Sequence, residues 1–259
     1  KPLFMPLSVL FNDELGRNLV LNLRIPRLIT SALLGMSLAT AGGVMQMLFR
    51  NPLVEPGFLG VTQGAGFGAT LSILFLSTSP LVVELSATAF AVIGLLFSYF
   101  IARRVRFGGW VLRLVLSGIA VSALFSAGLG ILKYMADPTS QLPEIVFWLL
   151  GGLWSVTWND LLYILPVVVI GLVIIFLMRW RLNLLSLSDE TAFSLGVSVG
   201  RERALLLAAS VAVTAVVVSV AGIVGWIGLI IPHIARRIAG AALNQRLCGA
   251  AARPNLAGP

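Results

Sequence analysis

The amino-acid sequence predicts an all-α fold, that of a polytopic helical membrane protein. Of its 259 residues, 58% are hydrophobic and only 11% are charged, and the mean hydropathy is +1.00. Soluble domains contain about 25% charged residues, so this chain has too few polar side chains to cover a water-soluble globule of its size. Apolar runs recur along the chain, and several have the length of about 20 residues that crosses a hydrocarbon core. A soluble enzyme, a disordered chain and a disulfide scaffold are thereby excluded.

The first two predicted spans cover residues 28–48 and 58–76. Both are rich in glycine and other small residues, which allow membrane helices to pack closely. The first span ends before Pro52, because a proline removes a helical hydrogen bond and clashes with the preceding turn. The second span contains four glycines whose spacing is wrong for a dinucleotide-binding motif and which follow no strand, so close helix packing is the preferred interpretation: Gly60, Gly64, Gly66 and Gly68.

The next two spans are predicted at residues 80–102 and 112–135. The first of them begins at Pro80, which is well tolerated in the first turn of a helix, and it stops at the basic run RRVR. The second is followed by the polar loop DPTSQLPE. A further apolar piece at residues 145–150 is too short to cross, so we expect a half-helix or an interfacial turn there.

The C-terminal part of the chain predicts one span at residues 161–178 and a long uncharged stretch at residues 204–231. This stretch is too long for one straight crossing and marginal for two. A fold-back near residues 222–225 would place the arginines on both sides of the stretch at one face of the membrane, as the positive-inside rule requires. We therefore predict a span at residues 204–221 and a short returning helix at residues 226–239.

The basic residues also predict the orientation of the chain. The segments RRVR, RWR, RER and IARR all lie on the cytoplasmic side if the Asp137 loop and the N-terminal segment are outside. The net charge of +8 is spread singly or in pairs between apolar runs, so it sets topology and does not indicate nucleic-acid binding. The only cysteine, Cys248, excludes a disulfide within one chain, and the only histidine, His233, excludes a histidine-rich metal site.

Long stretches of the sequence are recognisable at this point. The segments RIPRLITSALLGMSLATAGGVMQMLFRNPLVEPGFLGVTQGAGFGA and GIVGWIGLIIPHIARRIAG resemble the FecCD-type permeases, the membrane subunits of ABC importers for iron–siderophore complexes, haem and cobalamin. The likeness extends from about Leu23 to Gly240. It implies a type II ABC importer permease fold in a bacterial inner membrane, with substrates of the iron(III) chelate class. Here about seven of the ten helices are expected.

The resemblance also implies the partners. We expect a second permease subunit, most simply an identical copy, a cytoplasmic ABC ATPase, and a periplasmic or lipid-anchored substrate-binding protein, with membrane lipid around the subunit. ATP and Mg²⁺ are expected on the ATPase, while the permease itself holds no cofactor and no catalytic or metal site. One permease domain is predicted over residues 1–259. Residues 1–20 match the family poorly and residues 241–259 are atypical, so a chain truncated at both ends is expected.

The cytoplasmic stretch at residues 188–203 is the best functional candidate. Glu190, Ala192 and Gly196, preceded by Asp189, keep the E-x-A-x-x-x-G spacing of the segment that couples ABC import permeases to their ATPases. A short helix followed by a glycine turn fits a cleft of a partner, because glycine permits backbone angles that other residues resist. The alternative interpretation is an ordinary amphipathic loop.

Arg24 and Arg27 lie on the predicted outer face, against the positive-inside trend. A cationic pair at a helix start is also unfavourable with the helix dipole. The resemblance implies that these arginines meet acidic residues of the substrate-binding protein, where salt bridges steer docking. Snorkelling to lipid headgroups is the alternative.

Two further sites are implied by the resemblance alone. The helix corresponding to residues 112–135 lines the translocation path in the family, so Ser117, Ser122 and Ser126 are candidate pathway residues, unless they bond only to their own backbone. The preceding loop, with Gly108 and Gly109, lies where the family places its cytoplasmic gate.

Two other function classes remain as alternatives. An ion-coupled secondary transporter normally needs ionisable residues at mid-membrane, whereas Glu84, Glu144 and Asp160 are near predicted span ends. An intramembrane enzyme would need a buried nucleophile–base pair or a metal dyad. The chain carries no nucleotide-binding motif of its own, which favours a transport subunit powered by a partner.

Overall fold

The computed structural model describes residues 14–239, and every regular element within that range is a helix. We number ten helices in chain order: α1 Glu14–Leu48, α2 Val61–Phe75, α3 Pro80–Arg104, α4 Trp110–Met135, α5 Gln141–Leu150, α6 Trp158–Leu177, α7 Arg179–Leu185, α8 Asp189–Ser194, α9 Val199–Ala221 and α10 Ile227–Ala239. Helix α1 contains one π-helical turn at Val20–Arg24, and a short 3₁₀ turn at Pro56–Leu59 precedes α2.

Five of these helices are long and apolar enough to cross a membrane, namely α1, α3, α4, α6 and α9. This confirms the predicted polytopic all-α class. The predicted fold-back is also confirmed, because α9 ends at Ala221 and α10 begins at Ile227. The Arg236 guanidinium donates to the Gln46 side chain over 2.6 Å, which places the end of α10 at the same face as the end of α1.

Helix α9 is the centre of the bundle. In its most apolar window 72% of the residues are buried, against 28–50% in the other four long helices. It packs on α1, α3 and α6, and an uninterrupted valine- and alanine-rich run from Val211 to Val218 is almost fully covered. A helix that is apolar all round and covered on all sides is the expected core of a membrane bundle.

The segment after α1 re-enters the membrane before α2 begins. A Cβ atom added to Gly60, at the start of α2, would lie 2.7 Å from the Val121 side chain and 3.5 Å from the carbonyl oxygen of Gly94. Gly94 is ten residues before the end of α3, which corresponds to a depth of about 15 Å. Helix α2 therefore starts inside the bilayer. Because it has only part of the bilayer to cross, its 15 residues are enough to reach the predicted outer face.

The structure corrects the predicted start of the first span. The span was expected to begin at residue 28, whereas α1 runs from Glu14 to Leu48 over 35 residues. The expectations for residues 1–13 and for residues 240–259, including Cys248, lie outside the described residues. Arg24 and Arg27 therefore lie inside a helix and not at its start, so the argument from an unfavourable helix dipole does not apply. At 1.5 Å per residue, α1 is about 50 Å long and exceeds the hydrocarbon core.

Side-chain hydrogen bonds before two other helices involve aspartates, and in one case they move the helix start towards the N-terminus. Helix α6 begins at Trp158 and not at residue 161, because Thr157 and Asp160 form a capping box in which the Thr157 N–H donates to Asp160 over 2.8 Å. Before α5, the Asp137 carboxylate accepts hydrogen bonds from Thr139 and Ser140. These hydrogen bonds lower the pKa of Asp137 to about 2.

The contact between α1 and α10 predicts a sharp difference between two glycines of α1. A Cβ atom at Gly42 would lie 1.8 Å from the Gly228 carbonyl oxygen, whereas nothing lies within 4 Å of one at Gly35. Because overpacking costs about 1–3 kcal/mol, we expect Gly42→Ala to lower the free energy of unfolding by about 2 kcal/mol. The matched control Gly35→Ala should be neutral. Thermal unfolding in a mild detergent measures both, and equal effects would contradict this packing.

Candidate functional site

The segment from α7 to the start of α9, which is predicted to be cytoplasmic, contains a compact, well-capped helix, α8. Its N-cap is Ser188, whose hydroxyl oxygen accepts the Thr191 N–H over 3.2 Å. Its C-terminal end is a Schellman motif, in which Gly196 donates to the Phe193 carbonyl and Val197 donates to the Ala192 carbonyl. The φ angle of Gly196 is +78°, which is the reason for glycine at this position.

An ion-pair cluster fixes α8 to the membrane core. Asp189 accepts two hydrogen bonds from the Arg203 guanidinium, at 2.9 and 3.4 Å, and lies 3.6 Å from the Arg50 guanidinium. The Arg203 guanidinium also stacks 4.5 Å from the centre of the Trp110 ring, which in turn packs on Phe49. We call this set of side chains the latch, because it joins α8 to the ends of α1, α4 and α9.

The latch lowers the pKa of Asp189 and so favours its ionised form. The hydrogen bonds from Arg203 lower the pKa of this carboxyl, burial opposes them in part, and the positive charges of Arg203 and Arg50 add smaller contributions that lower the pKa further. A carboxyl group with a lowered folded-state pKa stabilises the fold at pH values above its unfolded pKa. That contribution is lost as the pH falls through the folded-state pKa.

The four predicted coupling residues do not share one face. Asp189 turns towards Arg203 and Ala192 is buried, with an exposed fraction of 1%, while Glu190 and Gly196 are exposed. The outward surface of the segment also contains Phe193 and Leu195, which are 76% and 54% exposed. The sequence interpretation missed these two residues, although apolar side chains within the most polar stretch of the chain were a usable signal.

The structure also separates the two predicted docking arginines. Arg24 is exposed, whereas Arg27 is half-buried and donates a hydrogen bond to the carbonyl oxygen of Trp154. Nearby, the Trp158 indole N–H donates to the Leu21 carbonyl over 3.0 Å. Arg27 thus joins α1 to the loop between α5 and α6. Docking by both arginines stays a prediction, and Arg27 already has a partner within the chain.

The candidate pathway serines fall on two sides of α4. Ser117 is 3% exposed and lies on the packed face with Gly118, whose added Cβ atom would meet the Phe58 carbonyl at 2.2 Å. Ser117 is therefore covered in this conformation, and its pathway role stays a prediction. Ser122 is half-buried and Ser126 is exposed, so these two stay candidates.

The candidate gate residues lie in the short loop before α4. Gly108 adopts a φ of +72°, and Gly109 directly precedes Trp110 at the first position of α4. Since Trp110 belongs to the latch, the loop that holds Gly108 and Gly109 is one residue away from the group that anchors α8.

The glycines of α2 serve packing. Cβ atoms at Gly64 and Gly68 would lie 2.4 Å and 2.6 Å from backbone carbonyl oxygens of α3. This confirms that the set is a helix contact and not a nucleotide motif. His233 is exposed on α10, and within residues 14–239 there is no group of three or more His, Cys, Asp or Glu residues that could hold a metal ion. That no cofactor or metal binds elsewhere in the chain stays a prediction.

A cavity of about 420 Å³ opens at the outer end of the bundle, between α3, α5 and α9. Its lining combines aromatic and acidic side chains, among them Glu84, Glu144, Phe147 and Trp154. Glu84 is 6% exposed and lies beside Asp160 of α6. The sequence placed these carboxylates at separate span ends, and only the fold brings Glu84 and Asp160 together.

Removing the charge of Asp189 should loosen the coupling segment. We expect Asp189→Asn to raise amide hydrogen exchange across residues 186–198 at least about fivefold, since an exposed ion pair is worth up to about 1 kcal/mol and the substitution also leaves the buried Arg203 guanidinium without its carboxylate. The neighbouring exposed carboxylate provides the control, and Glu190→Gln should leave exchange unchanged. Lowering the pH through the pKa of Asp189 should reproduce the effect in the wild-type chain. Equal exchange in both variants would show that the latch does not hold α8.

The chain is similar to several permeases over most of its length. The model of the FecCD transport family matches residues 2–252. The molybdate import permease MolB of Haemophilus influenzae is 38% identical over 88% of this chain and 67% of its own length. A probable iron chelatin permease of Helicobacter pylori is 40% identical over 92% of this chain and 72% of its own. The hemin permease HmuU of Yersinia pestis is 40% identical over 89% of this chain and 70% of its own length.

A solved structure supports the same assignment. An inward-facing metal-chelate type ABC transporter superposes with a TM-score of 0.83 at 37% identity, over 88% of this chain and 72% of the solved chain. The family model, the relatives and the superposed fold agree on one family. The chain therefore belongs to the FecCD transport family and is a multi-pass inner-membrane permease of the ABC importer class.

Proposed function

We propose that the chain forms the translocation subunit of an importer for iron(III) chelates, haem or a related large metal complex, and that a partner ATPase supplies the energy. The relatives support the metal-containing class of substrate, because their names specify iron chelatin, hemin, cobalamin and molybdate. In this proposal ATP and Mg²⁺ bind to the ATPase and the permease performs no catalysis. The observation that carries the proposal is α8, a capped helix that is held on the membrane core and presents an apolar surface outward.

The coupling surface consists of Glu190, Phe193 and Leu195 with the Gly196 turn. Two exposed apolar side chains next to a carboxylate have the composition of a protein contact and not of a solvated loop. Ala192 is buried and the exposed Asp189 carboxylate binds Arg203, so both act as positioning residues that support this surface. A displacement of α8 by the ATPase would be transmitted through Arg203 to Trp110, which adjoins Gly108 and Gly109 in the candidate gate.

The pathway is proposed along the exposed face of α4, where Ser122 and Ser126 lie. This face also carries large apolar side chains such as Ile119 and Leu124, which are 54% and 62% exposed. An apolar surface of this extent must be covered by lipid or by another protein. A second copy of the chain and the surrounding membrane lipid are the two partners that fit, and a homodimer would enclose a pathway between its two α4 helices.

Docking of a substrate-binding protein is proposed at Arg24. This guanidinium is exposed at the outer end of the molecule, while Arg27 is tied to Trp154. A free cation on the outer face can steer an acidic partner to the permease.

An ion-coupled secondary transporter is the alternative function. It would require a titratable group within the membrane. Glu84 and Asp160 lie near the outer ends of α3 and α6, and Glu55 is half-buried in the re-entrant segment before α2. Uptake that depends on a co-expressed, hydrolysis-competent ATPase favours the proposed function, whereas uptake driven by an ion gradient without the ATPase favours the alternative.

The Gly196 turn provides a specific test of coupling. Its φ of +78° is strained for a β-branched residue but is tolerated by asparagine, and the surrounding space is open. We therefore expect Gly196→Val to reduce ATP-driven uptake at least tenfold in proteoliposomes that contain the ATPase and the binding protein. Gly196→Asn should retain most of the uptake. Substrate-stimulated hydrolysis at the wild-type rate in the valine variant would contradict the assigned role.

The docking proposal predicts different outcomes for the two arginines. Arg24→Glu should weaken binding of the substrate-binding protein about tenfold, with a loss of salt dependence, while the permease keeps its thermal stability. Arg27→Gln should instead lower thermal stability, because it removes the contact with Trp154. Titration of the binding protein onto nanodisc-embedded permease gives the affinity. Unchanged affinity for Arg24→Glu would favour snorkelling to lipid headgroups.

A further inference from the structure

A cavity of about 340 Å³ lies at the cytoplasmic end of the bundle, between α3, α4 and α9. Three arginines, two aromatic side chains and the first turn of α9 line it: Tyr99, Arg103, Trp110, Arg113, Gly200 and Arg203. No carboxylate is among the residues that form its wall. The cavity is separate from the outward surface of α8.

Two of these arginines have unpaired donors. Arg203 is 6% exposed, and its terminal nitrogens hold Asp189 while its buried Nε has no hydrogen-bond partner. Arg113 donates from one terminal nitrogen to the Val105 carbonyl over 3.0 Å, and its buried Nε is likewise without a partner. A buried cationic donor without an acceptor is costly, so the site is incomplete as the chain alone forms it.

The third arginine lies at the exposed rim of the cavity. The Arg103 guanidinium is 5.9 Å from the centre of the Tyr99 ring. Exposed apolar residues of α3 and α9 continue from this end towards the membrane interior. Phe100 on α3 is 58% exposed and Leu205 on α9 is 48% exposed. The arginines thus stand at the end of the bundle where headgroups of the cytoplasmic leaflet lie, next to surface that acyl chains can cover.

We propose that this cavity binds the phosphate headgroup of an anionic lipid from the cytoplasmic leaflet. A phosphate diester offers acceptor oxygens to the unpaired Nε atoms of Arg113 and Arg203. Guanidinium groups bind phosphate through paired, charge-assisted hydrogen bonds. Basic pockets between membrane helices on the cytoplasmic side are suited to such headgroups. The quaternary ammonium of a choline headgroup would instead meet Arg103, so zwitterionic lipid is disfavoured.

The site has a consequence for the latch. Arg203 and Trp110 belong both to the cavity wall and to the contact with α8, so a bound phosphate lies beside the Asp189–Arg203 pair. Asp189 carries one negative charge against the three arginines of the cavity, so the cluster stays positive. The anionic lipid would reduce this remaining positive charge. Occupancy is therefore expected to stabilise the end of the bundle that holds the coupling segment.

Native mass spectrometry of the full chain in a neutral detergent tests the proposal. The chain is titrated in separate arms with phosphatidylglycerol, phosphatidylcholine and inorganic phosphate. We expect one phosphatidylglycerol to be retained in preference to phosphatidylcholine. Arg103→Gln and Arg113→Gln should each weaken its binding about fivefold, the effect of one cation near a lipid surface. Arg179→Gln is the matched control, because Arg179 is exposed at the same face, outside the cavity, and stacks on Phe176.

Several outcomes would overturn the proposal. Equal retention of both lipids would identify a purely apolar groove, and saturation by inorganic phosphate alone would identify a site for a soluble anion. An unchanged affinity for phosphatidylglycerol in Arg103→Gln would also overturn the proposal. This variant should fold even where Arg113→Gln does not, because Arg103 is exposed. The measurement needs neither ATPase nor substrate, so its result is independent of the proposed transport function.

Discussion

The guanidinium of Arg203 is buried at the start of the central helix, and the arrangement of the cytoplasmic end follows from how its charge is neutralised. A cation withdrawn from water is costly unless a carboxylate and hydrogen-bond acceptors replace the lost solvent. Asp189 provides the carboxylate from α8, and Trp110 covers the guanidinium with its ring. A helix of six residues has little stability of its own. The ion pair therefore fixes α8 in a position that neither its length nor its propensity would specify.

The membrane-embedded part of the molecule depends on a different constraint. Lipid tails are as apolar as leucine side chains, so helices within the bilayer gain little from hydrophobic burial and associate through close packing. Glycines provide that packing where backbone meets backbone, as at Gly42 against Gly228 and at Gly64 against α3. The same contacts allow the segment after α1 to re-enter the bilayer. The result is a rigid bundle around α9, from which α8 and the loop before α4 project at one end.

The division of charge between the two ends gives the fold its polarity. At the predicted cytoplasmic end, Arg50 after α1 and Arg203 of α9 contact Asp189, and Arg236 of α10 contacts Gln46. At the outer end, carboxylates predominate around the cavity that Glu84 and Glu144 line. A permease that receives its substrate outside and its energy inside needs two such distinct surfaces, and they form without any ionised side chain at the centre of α9.

The sequence by itself determined the class of protein, the number and order of most spans and the fold-back before α10, and it predicts a cytoplasmic location for the segment around α8. These properties follow from hydropathy, charge asymmetry and proline positions, which are local and need no knowledge of packing. Only the tertiary structure decided which neighbouring side chains share a role. Arg27 is bound and Arg24 is free because the acceptor for Arg27 lies 127 residues away. Asp189 binds Arg203 while Glu190 stays exposed for the same kind of reason, since the rotation of a helix about its axis is set by distant partners such as Arg203.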